Sequence, residues 1–501
     1  MAPDPRLPVL VGVGQMTRRP ESAADATEPL AMMAEVAEAA AEDSGAGAAL
    51  LKRVQSARVI DTLAWRYPNP GGLLAHRLGM PLRESVKVAT GGNSPQMAVN
   101  ATAAAIQRGE LDVALIVGAE AVYSRFLARK QGVTQDWTHE SVVADGPEPR
   151  SIGIDRPGTS DAEMARSLVM PTQVYPIFEN ALRAHYGRSI EDHQIAISEL
   201  WARFSDVAAT NPYAWSPRAR TPDEIRTVGP DNRMIGFPYP KLMNANIQTD
   251  QAAALILCSV DAARAAGVAE DRWVFLHAGA DGHDHWFVSD RDDLHSSPAI
   301  RACGRAVYEM AGVGPDDLAH VDLYSCFPCA VEVAADELGL PSADASRPLT
   351  VTGGLTFAGG PGNNYVTHSI ATMTGALRAD PGSYGLCTAN GWYLTKHAAG
   401  VYSTEPPRSG RFCHRDVQDD VDALPKRAST LDYDGPATVE SYTVMYERDG
   451  SPALAIMACL TPDGVRTWAN SNDAGLMAAM TSEEFVGQAC TLAAGGAIGF
   501  T

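Results

Sequence analysis

The sequence predicts an α/β protein built of two strand-and-helix halves, with a long insert and a small β domain after the second half. Three observations carry this expectation. Apolar, valine-rich segments alternate with alanine-rich helical segments over residues 7–118. The same alternation resumes over 250–403 without sequence identity to the first. Beyond Glu405 the pattern turns to short strands with tight turns.

The elements follow in order. Residues 7–14 form an apolar strand, 29–41 a helix of Ala, Met and Glu, and 59–63 and 86–89 two further strands. Gly91-Gly92-Asn93-Ser94-Pro95 then turns the chain into a helix through Ala98, Ala101, Ala105 and Ile106 to Gly109. Ser94 suits its N-cap and Pro95 its first helical position. A strand over 111–118 closes the unit. Residues 122–245, rich in Pro, Arg, Trp and Tyr, interrupt the pattern, and a long insert on a rigid scaffold is where substrate contacts concentrate. Strands return at 252–259 and 272–276, and Asp281-Gly282-His283-Asp284-His285 reads as a polar turn. A helix over 297–311, a strand over 321–324, a helix ending at Leu338, a glycine-rich loop and a strand over 384–389 complete the second half. After an acidic stretch with Asp416, Asp419, Asp420 and Asp422 come strands over 437–446, 453–460 and 464–469, with turns at Asp449-Gly450 and Asp463-Gly464. The expected units are 1–121 with 246–270, the insert 122–245, 271–404, and 405–501.

Hydrophobic residues make up 45% of the 501 and charged residues 20%, a globular balance with little disorder. The formal charge of −20 opposes nonspecific binding to nucleic acid and to anionic membranes. No segment approaches the ~20 apolar residues of a membrane-spanning helix, so neither a nucleic-acid partner nor membrane insertion is expected. The first residues, with an acid and several prolines leading into a strand, do not read as a signal peptide. Eight scattered cysteines in mostly apolar segments read as free thiols in a reducing, cytoplasmic setting.

A glycine turn between strand and helix is a natural place for an anion or an activated side chain, because the first helical N–H groups lack partners. The unit over 86–118 resembles the thiolase superfamily, in particular thiolase-like protein type 1, a branch related to the sterol-carrier-protein-type thiolases. The resemblance spans most of the chain and implies a duplicated thiolase fold. Thiolases carry C-x-S-G at this turn. Here Gly92 stands at the cysteine position, Ser94 keeps the serine, and Pro95 replaces the glycine.

Three further loops can be set against the family's patterns. Tyr324-Ser325-Cys326-Phe327 matches the N-E-A-F or H-D-C-F loop, with Cys326 at the place of its cysteine and Tyr324 where the residue holding a catalytic water belongs. The plain alternative for Cys326 is a buried thiol at a strand end. The loop from Gly353 begins as G-G-x-x-x-x-G-H-P does, but Gly360 replaces the activating histidine, and His368 lies about two helical turns further on. Asn363 and Asn364 are placed to donate to a thioester oxygen or a pantetheine amide, or else to satisfy the loop's own backbone. In the third loop Ala389 takes the acid/base cysteine's position, Asn390 and Gly391 follow, and Lys396-His397 form a polar pair that a solvated face explains as well as catalysis does.

Without a thiolate no acyl-enzyme forms by the usual route. Gly92, Gly360 and Ala389 open space while removing function, which suits a binding protein. The resemblance therefore implies a CoA- or acyl-CoA-binding protein of lipid metabolism without ordinary thiolase activity. One alternative is an active acyltransferase of the acetyl-CoA acetyltransferase kind, with Cys326 and His368 or His397 as its catalytic groups. The other is a protein-interaction module with a vestigial site. Gly92, Ser94, Gly360, Asn363, Asn364, Asn390 and Gly391 are the expected ligand contacts. The ligand expected is CoA or acyl-CoA, with no covalently bound cofactor and no metal, since His185 and His193 lack ligand spacing. A monomer or a homodimer is expected. The last unit resembles the OB-like modules that accompany some thiolase relatives. Its acidic approach and few stacking aromatics argue for packing or a lid over oligonucleotide binding.

Overall fold

A computed structural model describes residues 3–139 and 146–500; residues 140–145 of the insert lie outside them. The body is an 11-stranded sheet. Its first part comprises β1 (Pro8–Arg18), β2 (Ser56–Ile60), β3 (Glu84–Val88) and β4 (Val113–Ala121), with β5 (Pro149–Ile152) supplied by the insert. The insert also holds β6 (Met234–Gly236) and β7 (Tyr239–Pro240), which belong to a second sheet. The body continues with β8 (Asp250–Ser259), β9 (Val274–His283), β10 (Leu318–Asp322), β11 (Tyr384–Gly391), β12 (Lys396–Ser403) and β13 (Cys413–Asp416).

The strand order is β10-β11-β12-β9-β1-β8-β4-β2-β3-β5, with β13 beside β9. Duplication is written into this order. β2 runs parallel to β4, β4 antiparallel to β8, and β8 antiparallel to β1. β10, β11, β12 and β9 repeat that sequence of pairings. The halves meet where β1 and β9 pair through Val9↔Phe275 and Leu10↔Val274.

Two helices cross between the halves. Ser94–Gln107 packs on β11 and β12 as well as on β4, and Tyr365–Ala379 packs on β8 and β1 as well as on β11. Ala98, Ala103 and Ala105 let the first of these approach its neighbours closely. The Pro29–Asp43 and Pro70–Leu78 helices cover the opposite face of the first half, over a separate core.

Local signals set element starts to within three residues, the strands at Ser56 and Leu318 being the furthest off. The helix expected to begin at Pro95 starts at Ser94, with Asn93 at its N-cap. β9 runs through His283, so Asp281-Gly282-His283 is strand and not turn. Flanked by β12 and β13, its polar groups find partners such as Asn100 and His414 on Asp281.

The last unit is antiparallel: β14 (Gly435–Tyr446), β15 (Pro452–Leu460), β16 (Arg466–Ser471), β17 (Ala489–Ala493) and β18 (Ala497–Gly499), in the order β16-β15-β14-β17-β18. A helix, Ala474–Met480, lies between β16 and β17. The Asn470 N–H donates to the Gly496 carbonyl, tying β16 to the β17–β18 turn. Val439, Tyr442, Met457, Met480 and Leu492 fill the interior. This unit is fastened to the body at several points. β6 pairs with β14. The fully buried Arg466 ion-pairs with Glu440 at 2.5 Å and donates to the carbonyls of Val288, Ser289 and Arg291. Arg183 on the Pro171–His185 helix ion-pairs with Glu484. Among the described residues no helix is long and apolar enough to cross a membrane.

Candidate active site

The glycine turn after β3 meets the β11–β12 connection and the loop after β10. A Cβ built on Gly92 would lie 2.2 Å from the Tyr324 hydroxyl and 2.4 Å from the Asn390 carbonyl oxygen. The volume a nucleophile's side chain would need is therefore filled by Tyr324. This corrects the expectation of opened space: the glycine removes a side chain, and a phenol from the other half occupies its place. The room left beside Tyr324, Asn390 and His397 is about 20 Å³, enough for one water.

The hairpin turn between β11 and β12 is strained and braced. Trp392 and Leu394 have φ of 57° and 50°, a left-handed region costly for such side chains. The Tyr175 hydroxyl holds the turn by donating to the Trp392 carbonyl at 2.8 Å and accepting from the Leu394 N–H. It also accepts from Asn390 Nδ2 at 2.9 Å, and the same amide lies 3.8 Å from Cys326 Sγ. Burial pushes the Cys326 thiol up to about 12, so at neutral pH it is a thiol and a poor nucleophile.

The other two candidate catalytic groups have partners elsewhere. His368 Nδ1 bonds Gln15 Oε1 at 3.0 Å, and burial lowers its pKa to about 3, so the ring is neutral. His397 Nε2 lies 3.3 Å from Asp284 and 3.4 Å from Ser297, across the strand pair from Asn390. No hydrogen bond among the described residues joins any two of Cys326, His368 and His397. Lys396 and His397 are both buried, which excludes a solvated face. Lys396 Nζ donates to the Thr90 and Ile154 carbonyls, and burial lowers its pKa to about 8.

The expected ligand contacts are engaged within the protein. Ser94 Oγ donates to the Ala89 carbonyl, Asn363 accepts from the Gly91 N–H and donates to the Asp61 carbonyl, and Asn364 donates to the Gly118 carbonyl. The Gly360 N–H donates to the Asn246 carbonyl. Gly391 sits against Gly91, where a Cβ would meet Asn93 Oδ1 at 2.6 Å. Asn93 Oδ1 and Asn390 Oδ1 are buried without a hydrogen-bond donor.

One buried cluster went unrecognised in the sequence. Glu179, His193 and Glu332 place ligand-type atoms within 4.8 Å of one another. Arg188, which only donates, lies 3.3 Å from His193 Nδ1, so Nδ1 accepts and the proton sits on Nε2, which donates to Glu179 Oε1 at 2.6 Å. A metal would need that Nε2 lone pair. Burial raises Glu179 to about 7 and Glu332 well above the carboxylate range. The cluster is thus a proton-holding network between the insert helices and the Pro328–Leu338 helix. Its one legible signal was an acid inside the apolar run Ala330-Val331-Glu332-Val333-Ala334.

Comparison with known proteins gives this arrangement its class. Residues 280–389 match the model of the thiolase C-terminal domain-like family, and 416–497 that of the thiolase-like protein type 1 additional C-terminal domain. The crystal structure of a monomeric SCP2-thiolase like protein type 1 from Mycobacterium smegmatis is 34% identical, with a TM-score of 0.85 over 100% of both chains. An acetyl-CoA acetyltransferase from Methanothermobacter thermautotrophicus is 25% identical over 264 residues, spanning 49% of this chain and 66% of the relative, just under two thirds of its length. The structure of the Syntrophomonas wolfei acetyl-CoA acetyltransferase shares the fold, with 14% identity and a TM-score of 0.58 over 80% of this chain and 100% of that one. The fold is that of a thiolase carrying an additional β domain. The chain belongs to the thiolase superfamily, in its SCP2-thiolase-like protein type 1 group.

Proposed function

We propose that this protein binds CoA or acyl-CoA in lipid metabolism and does not perform thiolysis or Claisen condensation. The observation that carries the reading is the Tyr324 hydroxyl in the place of the nucleophile's side chain at Gly92. Claisen chemistry needs a thiolate, a base and donors for an oxyanion. Here the first position is filled, Gly360 and Ala389 have no group able to act as base or acid, and Cys326 keeps its proton. A role in binding is supported by the acetyl-CoA acetyltransferase relatives.

The ligand is held noncovalently, and no covalent cofactor is assigned. We read the additional domain as OB-like, a reading supported by its five antiparallel strands with a helix between the third and fourth, and we assign it a packing role over the second half. A monomer is favoured over a homodimer. The M. smegmatis relative is described as monomeric, and β5 here occupies the edge of the main sheet beyond β3. Eight unpaired cysteines support a cytoplasmic setting.

Calorimetric titration of the purified chain with CoA and acetyl-CoA, followed by a thiolysis assay on the same sample, tests this reading. Binding without turnover is expected. Turnover would overturn the absence of catalysis, and no heat with either ligand would overturn the binding role.

A further inference from the structure

The connections leaving β2 and β3 part to opposite faces of the sheet. The helix after β2, Pro70–Leu78, packs beside Pro29–Asp43, whereas the helix after β3, Ser94–Gln107, packs beside Tyr365–Ala379 on the other face. Neighbouring strands whose connections diverge leave a crevice outside their carboxyl ends, the place where open α/β sheets take ligands. Here that crevice is a cleft of about 610 Å³, within the size range of small-molecule sites.

Its lining is out of keeping with a chain of net charge −20. Arg66, Lys87 and Arg125 face it, and among the described residues none of the three forms an ion pair or a hydrogen bond. Arg125 lies 5.1 Å over the Trp65 ring. Trp65 is itself fixed by an Nε1–H bond to the Thr138 carbonyl and an edge contact with Trp137. Two acids share the cleft: Asp61, beside the end of β2, and Asp155.

The lips of the cleft are held from within. The fully buried Glu120 carboxylate accepts from the Leu63 and Ala64 N–H groups at 2.7 and 2.9 Å, setting the loop that carries Trp65 and Arg66. Thr90 Oγ1 donates to Asp61 at 2.8 Å, and Asn363 links the Asp61 carbonyl to the Gly91 N–H. The loop after β2 and the turn after β3 are thereby locked to each other. Unpaired cations on braced loops beside an aromatic plate form a receptor for a phosphate-bearing, ring-containing anion.

We propose that this crevice binds an adenosine-phosphate group, the part shared by CoA and free adenine nucleotides. Arg66, Lys87 and Arg125 take the phosphates, the Arg125–Trp65 pair takes the ring, and Asp61 accepts from a ribose hydroxyl. The CoA source rests on the function proposed above; the crevice itself does not. The cleft, lined by Thr90, opens beside the filled position at Gly92 and not through it, so binding here needs no opening of that centre.

The test is calorimetry on the full chain at 0.15 M salt with ADP and, separately, CoA. The wild type is compared with Arg66→Ala, with Lys87→Met, and with Arg408→Ala as a cation outside the cleft. Arg66 is exposed and unpartnered, so its loss leaves folding intact. Both ligands are expected to bind and to weaken at least tenfold in the first two variants and not in the third, with ADP shielding Lys87 from amine labelling read by mass spectrometry. ADP binding without CoA binding would keep the crevice and remove the CoA reading of the protein. CoA binding that is indifferent to Arg66 and Lys87, with no ADP binding, would overturn the crevice and keep that reading. Silence from both ligands, with Lys87 labelled equally with and without ADP, would overturn both.

Discussion

The Tyr324 hydroxyl stands where a side chain on Gly92 would begin, 2.2 Å from the position of its Cβ. A contact that short cannot exist, so tyrosine at 324 in this position requires glycine at 92. Under the function proposed above, the loss of the nucleophile is built into the packing of the two halves, and restoring one residue is not expected to restore a thiolase.

Gly92→Cys is expected to destabilise the protein by about 1–3 kcal/mol through overpacking. Adding Tyr324→Asn should recover only part of this, because the Asn390 carbonyl still lies 2.4 Å from the new Cβ position. Urea midpoints of both variants check it, and wild-type stability in Gly92→Cys would refute the packing argument. Neither variant is expected to show thiolysis.

Thiol labelling should be selective. Cys413 is the one cysteine that is not buried, whereas Cys326 is buried and keeps its proton up to about 12. A disulfide reagent at pH 8 is expected to titrate Cys413 quickly and Cys326 only on unfolding, as peptide mapping would show. Rapid labelling of Cys326 in the native protein would reopen the acyltransferase alternative.

His368 makes acid stability testable. Its folded pKa is lowered to about 3 by burial, so the unfolded chain binds more protons and stability is lost as pH falls from about 6.5 toward 3. Each tenfold difference in proton affinity is worth about 1.4 kcal/mol. His368→Gln can still donate to Gln15 and should lose less stability than wild type between pH 7 and pH 4. The raised carboxyls of Glu120 and Glu179 act with the opposite sign above about pH 4.5, but equally in both proteins, so the difference isolates the histidine. Parallel curves would mean that His368 is protonated in the fold.

The buried acid pair predicts an asymmetry. Burial and the neighbouring Glu179 raise the Glu332 carboxyl well above the usual range, against the pull of Arg188, so Glu332→Gln is expected to cost less than about 1 kcal/mol at pH 7, while gaining on the wild type as pH rises. Zinc should leave the melting temperature of both unchanged, because His193 Nε2 carries a proton directed at Glu179. A zinc-dependent rise in the wild type alone would turn the cluster into a metal site.

Arg466 fastens the additional domain. Its removal takes the guanidinium from the Glu440 carboxylate and from four backbone carbonyls, those of Val288, Ser289, Arg291 and Asp292, so Arg466→Ala should cost about 3–5 kcal/mol. Proteolysis near residues 404–434 would then accelerate. An unchanged cleavage rate would mean that β6 and the Arg183–Glu484 pair hold the domain without it.

The fold was legible because it rests on local periodicity. Strand-like runs such as 111–118 and alanine-rich runs such as 98–106 declare their element type within a few residues, and the glycine turn at 91–92 declares where one becomes the other. Gly92, Gly360 and Ala389 were legible as identities, and their reading as missing catalytic groups rests on the resemblance. What covers each residue was not. Lys396 and His397 read as a possible solvated face, yet they lie on a strand between β11 and β9 and are buried. His193 meets Glu179 and Glu332 only because three helices converge. Tyr324 reaches Gly92, and Asn363 ties Asp61 to Gly91, only because the loops of the second half fold against those of the first. Periodicity reports which side of an element is apolar; which distant element lies against that side is decided by strand order and helix crossing. The sequence by itself thus determined the scaffold and which residues stand at the glycine turn and its partner loops, and the tertiary structure decided that Tyr324 fills the space beside Gly92 and that the open cleft lies next to it.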